Sequence, residues 1–254
     1  MVTDTLLRGD PHLASTVAAV LSSGGLPLEG WMRHHGEVLK GDINSLVCLA
    51  ELDGEIRYLK LYHPKNLLQR VAFRFGLARA VRAFDRASAM RAQGLPVPVP
   101  LGCLSLNGNL LLVTEALVDA KDLKSLWLEG LGPHPLAGLM TAAGQLLASM
   151  HQAGFSHGDC KWSNLLLGQG RLWLVDLEAV GTAARRRVSR DLARFTVNAE
   201  DMCLSMESFE HFVTAYCERA SLPRGQFAAL VLPELRKLRR RHRKKYGERG
   251  AVLL

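Results

Sequence analysis

Gly94, Pro96, Pro98 and Pro100 fall within seven residues of one another, and no helix crosses such a stretch. Each proline lacks a backbone N–H and biases the residue before it toward extended geometry, and a glycine just past a helix is a natural stop. The Ala- and Arg-rich run from roughly Val71 to Gln93 reads as the helix that ends there. Beyond the prolines the pattern changes to strands: Val99 to Leu106 and Leu110 to Thr114 flank Asn107-Gly108-Asn109, a hairpin turn. Before the helix, short apolar runs between Glu37 and Tyr62 are separated by Gly41-Asp42 and Asp53-Gly54, which predicts an antiparallel sheet of about three strands.

A short helix from Pro11 to Leu21 is expected upstream, with Asp10 as N-cap and Pro11 at its first position. Glu115-Ala116-Leu117 leaves the last of these strands for a polar stretch, and the composition shifts there. Pro135 to Gln152 reads as helix, and Leu165 to Leu167 with Leu172 to Val175 bracket Gly168-Gln169-Gly170 as a small hairpin. From Ser189 onward the pattern is helical, with breaks expected near Pro223 and Pro233. The fold class is therefore α+β, with a β-rich part over 1–116 and a mainly helical part over 117–254. No repeat or low-complexity segment interrupts it.

At 254 residues the chain can bury a stable core without covalent staples. Its five cysteines are scattered and lack a CxxC spacing, so they read as reduced thiols of a cytosolic protein. His157 and Cys160 stand at ligand spacing, but no second pair completes a zinc site. The first ten residues lack the basic start and apolar core of a signal peptide, and no stretch approaches the roughly 20 apolar residues of a membrane span. The net charge of +8 has one source: Arg236 to Lys245 holds eight Lys and Arg with no acid, and without them 24 basic residues face 24 acidic ones.

The chemistry concentrates between His157 and Glu178. Asp159 and Asn164 are five apart on an irregular loop that ends at Leu165, and Asp176 follows the return strand. A hairpin that brought Asn164 and Asp176 to one end would let both face a Mg²⁺ ion, a hard cation that takes oxygen ligands. Phosphoryl transfer needs little else: a base near the acceptor hydroxyl, metal on the phosphates, and cations against the spreading charge.

This spacing resembles the protein-kinase catalytic loop, His-Arg-Asp then four residues and Asn, followed by Asp-Phe-Gly. Gly158 stands for the Arg, and Leu177-Glu178 for the Phe-Gly. The run His-Gly-Asp-Cys-Lys-Trp-Ser-Asn with Asp-Leu-Glu is similar to the lipopolysaccharide kinase family, the InaA-like, inner-core heptose or Kdo kinase group of the protein-kinase-like superfamily. The resemblance implies a two-lobed protein-kinase-like fold, with an antiparallel β-rich N lobe and a mainly helical C lobe. It further implies Asp159 as catalytic base, Lys161 steadying the transferring phosphate, and Asn164 and Asp176 as Mg²⁺ ligands. Glu178 assists a second metal on the same grounds. His157 packs beneath the loop, and Asp191 braces it from a helix.

The resemblance covers roughly Val38 to Phe195 and also places nucleotide-binding groups in the first lobe. Lys60, an isolated cation in Tyr58-Leu59-Lys60-Leu61-Tyr62, matches the phosphate-binding Lys; a Lys snorkelling from an edge strand is the plainer alternative. Gly41 is the one glycine in the stretch Lys40 to Val47 that stands for the glycine-rich loop. Adenine falls to backbone groups near Glu115 and Leu117. The helix Glu that normally pairs with the strand Lys is missing, its position being Ala83, and Asp85 is the only acid between Leu61 and Val99. Either Asp85 reaches Lys60, or another acid substitutes, or the pair is absent; Asp85 as a solvated partner for Arg82 or Arg86 is equally compatible.

The expectation is an ATP- and Mg²⁺-dependent kinase of a sugar hydroxyl in the lipopolysaccharide core, cytoplasmic and peripheral at the inner face of the inner membrane. A kinase of another small-molecule or protein acceptor, or a nucleotide-binding pseudokinase regulator, fits the same residues. For Arg236 to Lys245 a solvated helix end stands beside contact with anionic lipid or an acidic saccharide core. Nucleic-acid binding ranks last, since the rest of the chain is formally neutral and only 6% aromatic.

Overall fold

The computed structural model describes residues 5–66, 73, 78–247 and 252–254. It divides into two compact units, Met1–Arg91 with Pro98–Val118, and Ala92–Val97 with Asp119–Leu254.

The first unit is built on a six-stranded antiparallel sheet. Its strands are β1 (Thr5–Gly9), β2 (Glu37–Asp42), β3 (Ser45–Leu52), β4 (Glu55–Tyr62), β5 (Pro100–Leu106) and β6 (Asn109–Glu115), in the order β1-β5-β6-β4-β3-β2. Alternation along the strands gives each face its own core. Leu59, Leu61, Leu111 and Val113 pack with Val17 of α1 (Pro11–Gly24) and with Trp31 and Met32 of α2 (Leu28–His35). Tyr62, Leu110 and Leu112 point the other way, onto Ala80, Val81 and Ala83 of α3 (Arg79–Ala92). The sheet is thus covered on both sides, which an all-apolar alternation requires.

The caps and turns follow local chemistry. Asp10 takes the N-cap of α1 and accepts from the His12 N–H at 2.8 Å. Asn107 and Gly108 both have positive φ, the type I′ geometry that joins β5 to β6. The helix expected from Val71 is described from Arg79; 71, 72 and 74–77 lie outside the described residues. Strand β1 and helix α2 were not expected from the sequence. Strand β1 exists through its pairing with β5, and α2 is an eight-residue helix with no side-chain N-cap.

The second unit is mainly helical. Helix α4 (Leu123–Leu128) begins at Asp122, whose carboxylate accepts from the N–H groups of Lys124 and Ser125. The longer helices are α5 (Pro133–Gln152), α6 (Arg185–Asp201), α7 (Met206–Ala220) and α8 (Arg224–Tyr246). Trp162, Phe195, Phe212, Tyr216 and Phe227 form a continuous run of tilted, stacked and edge-to-face rings through their centre. Short strands complete it: β7 (Lys121–Asp122), β9 (Leu165–Gly168) and β10 (Arg171–Leu174) form one sheet, and β8 (Phe155–Ser156) pairs with β11 (Gly181–Thr182).

Two expectations about the helical part need correction. Helix α6 starts at Arg185, before Ser189, and Pro233 does not break α8 but lies inside it. Phe227, Val231 and Leu235 are fully buried along one side of α8, and that burial outweighs the hydrogen bond the proline removes.

Among the described residues no helix is long and apolar enough to cross a membrane. The five cysteines are unbridged.

Candidate active site

The loop after β8 is held from beneath by a single buried carboxylate. Asp191 of α6 accepts from the His157 N–H at 2.6 Å and from the Gly158 N–H at 2.8 Å, one oxygen each. Gly158 has φ +81°, and a Cβ there would meet the Ala179 carbonyl at 2.4 Å, so the position admits no other residue without rebuilding the loop. The His157 ring is fully buried; Nε2 donates to the Val175 carbonyl at 3.0 Å and Nδ1 accepts from the Asp159 N–H at 3.3 Å. Burial lowers its pKa against the opposing pull of Asp191, so the ring stays neutral and structural.

That frame presents Asp159. Its carboxylate meets Arg194 of α6 on one oxygen, and the Lys161 ammonium (3.2 Å) and Asn164 Nδ2 (3.4 Å) on the other. Asn164 Nδ2 also donates to the Asp159 carbonyl at 2.9 Å, which fixes the amide and leaves its oxygen as an acceptor. Asn164 accepts through its own carbonyl from the Val175 N–H at 3.1 Å, continuing the β9–β10 ladder, and Asp176 follows directly. The hairpin therefore brings Asn164 and Asp176 to one end. Asp176 is exposed and adopts a left-handed backbone (φ 60°, ψ 57°), uncommon for a residue with a side chain, before the turn that carries Glu178. Cys160 is fully buried and burial raises its thiol pKa well above the usual value, so it takes no nucleophilic part.

Arg194 and Asn198 were not picked out from the sequence. Asn198 accepts from the Trp162 N–H at 2.9 Å, so α6 meets the loop through Asp191, Arg194 and Asn198 in turn. Polar residues at i, i+3 and i+7, which share one side of a helix, were the available signal. Two buried donors near the loop, Trp162 Nε1 and Arg194 Nε, have no hydrogen-bond partner among the described residues.

In the first unit Lys60 sits on β4, an interior strand, opposite Val47 of β3 and Leu112 of β6. It is half-buried, with its ammonium 5.3 Å from the centre of the Tyr62 ring. The edge-strand alternative therefore does not apply. Gly41 pairs with Leu46 one row along the same ladder, on an exposed β2 where a Cβ would meet nothing closer than 3.4 Å. The Glu115 N–H donates to the Val99 carbonyl (2.8 Å) and its carboxylate accepts from the Val99 N–H (3.1 Å), so that N–H is already committed, whereas Leu117 lies past the end of β6. Among the described residues the ion-pair partner of Asp85 is Arg8 of β1, rather than Arg82 or Arg86: it accepts from Arg8 Nε at 2.8 Å.

Residues 46–216 match the model of the lipopolysaccharide kinase (Kdo/WaaP) family. A protein of Vibrio parahaemolyticus serotype O3:K6 (strain RIMD 2210633), described as 3-deoxy-D-manno-octulosonic acid kinase, is 28% identical over 105 residues, 39% of this chain and 43% of that protein. The matched part thus spans less than half the length of that relative. The solved structure of WaaP in complex with acyl carrier protein superposes with a TM-score of 0.63 at 18% identity, covering 95% of this chain and 99% of that one. At that identity the likeness shows the fold alone, and the fold is the protein-kinase-like one that the resemblance implies.

Proposed function

Because the chain belongs to the lipopolysaccharide kinase (Kdo/WaaP) family, we propose that it transfers the γ-phosphoryl group of ATP to a sugar hydroxyl of the lipopolysaccharide inner core. The observation that carries this reading is the loop anchored on Asp191, which holds the Asp159 carboxylate beside Asn164 and Lys161. In it Asp159 orients the acceptor hydroxyl and takes its proton, while Lys161 and Lys60 offset phosphate charge. The residues fit Mg²⁺: the Asn164 amide is turned so that its oxygen accepts, Asp176 adds a carboxylate, and Glu178 stands two residues on. Few protein oxygens suit an ion that keeps waters and substrate phosphates in its shell. Bound there, the ion would neutralise charge on the phosphates; the chain's part is to present those oxygens.

Gly41 and the backbone about Leu117 belong to nucleotide binding in this reading. Asp85, engaged by Arg8, belongs to the packing of α3 against β1 instead. The exposed cations of Arg236–Lys245 supply a peripheral contact with anionic lipid at the cytoplasmic face of the inner membrane, where such an acceptor is assembled.

The test is ATP turnover on lipopolysaccharide core, read by the mass of the core saccharide. A gain of one phosphate that disappears in Asp159→Ala and in Asp176→Ala is expected. ATP binding without phosphate transfer to any core preparation would sink the kinase reading and leave a nucleotide-binding regulator.

A further inference from the structure

Helix α6 carries a row of arginines that leads to the catalytic loop. Arg186, Arg190 and Arg194 stand four residues apart, so they lie along one side of the helix over roughly 12 Å. Arg194 ends the row on the Asp159 carboxylate. At the other end Arg186 (3.2 Å) and Arg190 (3.5 Å) share the Glu234 carboxylate of α8 with Lys237 (2.7 Å). One anion thus faces three cations, and the cluster keeps a surplus of two positive charges.

A purely structural reading accounts poorly for that surplus. The Arg186 side chain is 73% exposed, where an ion pair contributes about 1 kcal/mol or less. Lys237, from Glu234's own helix, is the nearest partner and its ammonium already holds the Glu234 carboxyl below the ordinary value. The first turn of α6 contains Arg185, Arg186 and Arg187 with no acid, although the macrodipole disfavours cations there. Of these, Arg187 is accounted for by the Ser156 hydroxyl and the Ala179 carbonyl. Arg186 and Arg190 are left as solvent-facing guanidinium groups with a shared, over-subscribed counter-ion, in line with the base.

We propose that Arg186 and Arg190 form the acceptor subsite for an acidic group, a sugar carboxylate or phosphate, on the saccharide whose hydroxyl meets Asp159. The proposal rests on the kinase reading above and adds what selects the acceptor. The fork of a guanidinium matches either oxyanion in two parallel hydrogen bonds, and the row's spacing lets an acidic unit sit one residue removed from the reacting sugar. Glu234 holds the two arginines in place until the ligand's oxyanion replaces it.

The full-length protein is titrated with core oligosaccharide bearing its carboxylates and phosphates, and with the same material methyl-esterified and dephosphorylated, while melting temperature is recorded for each variant. The Arg186→Gln, Arg190→Gln double variant should bind the acidic saccharide about tenfold more weakly or worse, with lysine at both positions recovering part of the loss. Glu234→Gln separates the two readings: it should leave binding unchanged or tighter, whereas arginines that merely pin α6 to α8 would give weaker binding and a lower melting temperature. Equal affinity of the double variant and the wild type, or no preference for the acidic saccharide, overturns the proposal. Wild-type protein that binds through the arginines but transfers no phosphate removes the kinase reading and leaves the subsite; transfer by the double variant at unchanged acceptor KM does the reverse.

Discussion

The Asp159 carboxylate is bracketed, with Arg194 on one oxygen and Lys161 and Asn164 on the other, so a hydroxyl can reach it only by sharing or displacing one of these partners. Arg194 comes from a rigid helix and Lys161 from the loop itself, so the helix-borne partner sets the position and the loop-borne one yields. Arg194→Ala should therefore lower kcat on the order of a hundredfold, the effect of a misplaced catalytic group, with the KM for ATP little changed; an unchanged kcat would assign the bracket to Lys161 alone. His157 gives a pH prediction. Its folded-state pKa is depressed by burial below the ordinary 6.5, so the unfolded chain binds the proton first as pH falls. Its contribution to stability is complete above about pH 6.5 and is lost as pH falls through that value. Denaturant midpoints should decline across that interval before the carboxylates titrate, and a flat profile would show the ring taking its proton inside the fold. At this scale the sequence was readable where partners are close along the chain. Asp159, Asn164 and Asp176 share a loop and its hairpin, so spacing alone groups them. Arg194 and Asn198 reach the same loop from 35 and 36 residues away, and Asp85's partner Arg8 from 77, distances that spacing does not constrain.

Helix α6 is the element that joins these residues, since one side of it carries the loop's brace and the basic row while other positions are buried in the aromatic core. Asp191→Ala would leave the His157 and Gly158 N–H groups without an acceptor. At roughly 1–3 kcal/mol for each buried unsatisfied group, the loss should be several kcal/mol, visible in denaturant unfolding. Asp191→Asn keeps one acceptor and turns an N–H₂ toward the other amide, so it should recover less than half. Helix α8 gives the opposite sign. Pro233 is exposed and interior, and costs on the order of 3 kcal/mol relative to a non-proline residue. Pro233→Ala should raise the melting temperature by a few degrees; a fall would mean that the bend packs. Helix breaks near Pro233 were a fair inference from local rules and failed because Phe227, Val231 and Leu235 hold both halves against the core. Strand β1 was missed for the converse reason: Thr5–Gly9 has little apolar pattern of its own and is ordered by its ladder with β5. The hairpins β5–β6 and β9–β10 were legible because their turns specify them.

For the whole molecule the decisive property is where the charge sits, and the basic segment turns out to hold two populations. Arg239 reaches inward to Glu200, which is 1% exposed and also accepts from the Leu253 N–H at 3.1 Å, and Lys237 engages Glu234. Arg236, Arg240 and Lys244 instead recur at four-residue spacing on the exposed side of α8, with Arg241 beside them. The second population can meet an anionic bilayer without unpairing a buried carboxylate. At about 1 kcal/mol for each cation near such a surface, four of them bind reversibly and their contribution fades as salt rises. Replacing Arg236, Arg240, Arg241 and Lys244 by Gln should therefore reduce co-sedimentation with anionic vesicles on the order of a hundredfold and leave the melting temperature within a degree or so, exposed substitutions being near neutral. Arg239→Gln should do the reverse, keeping vesicle binding and lowering stability by roughly 3 kcal/mol, because it strands the buried Glu200 charge. If both variants lose vesicle binding in step with stability, the segment acts as one structural unit and the proposed membrane contact through it fails.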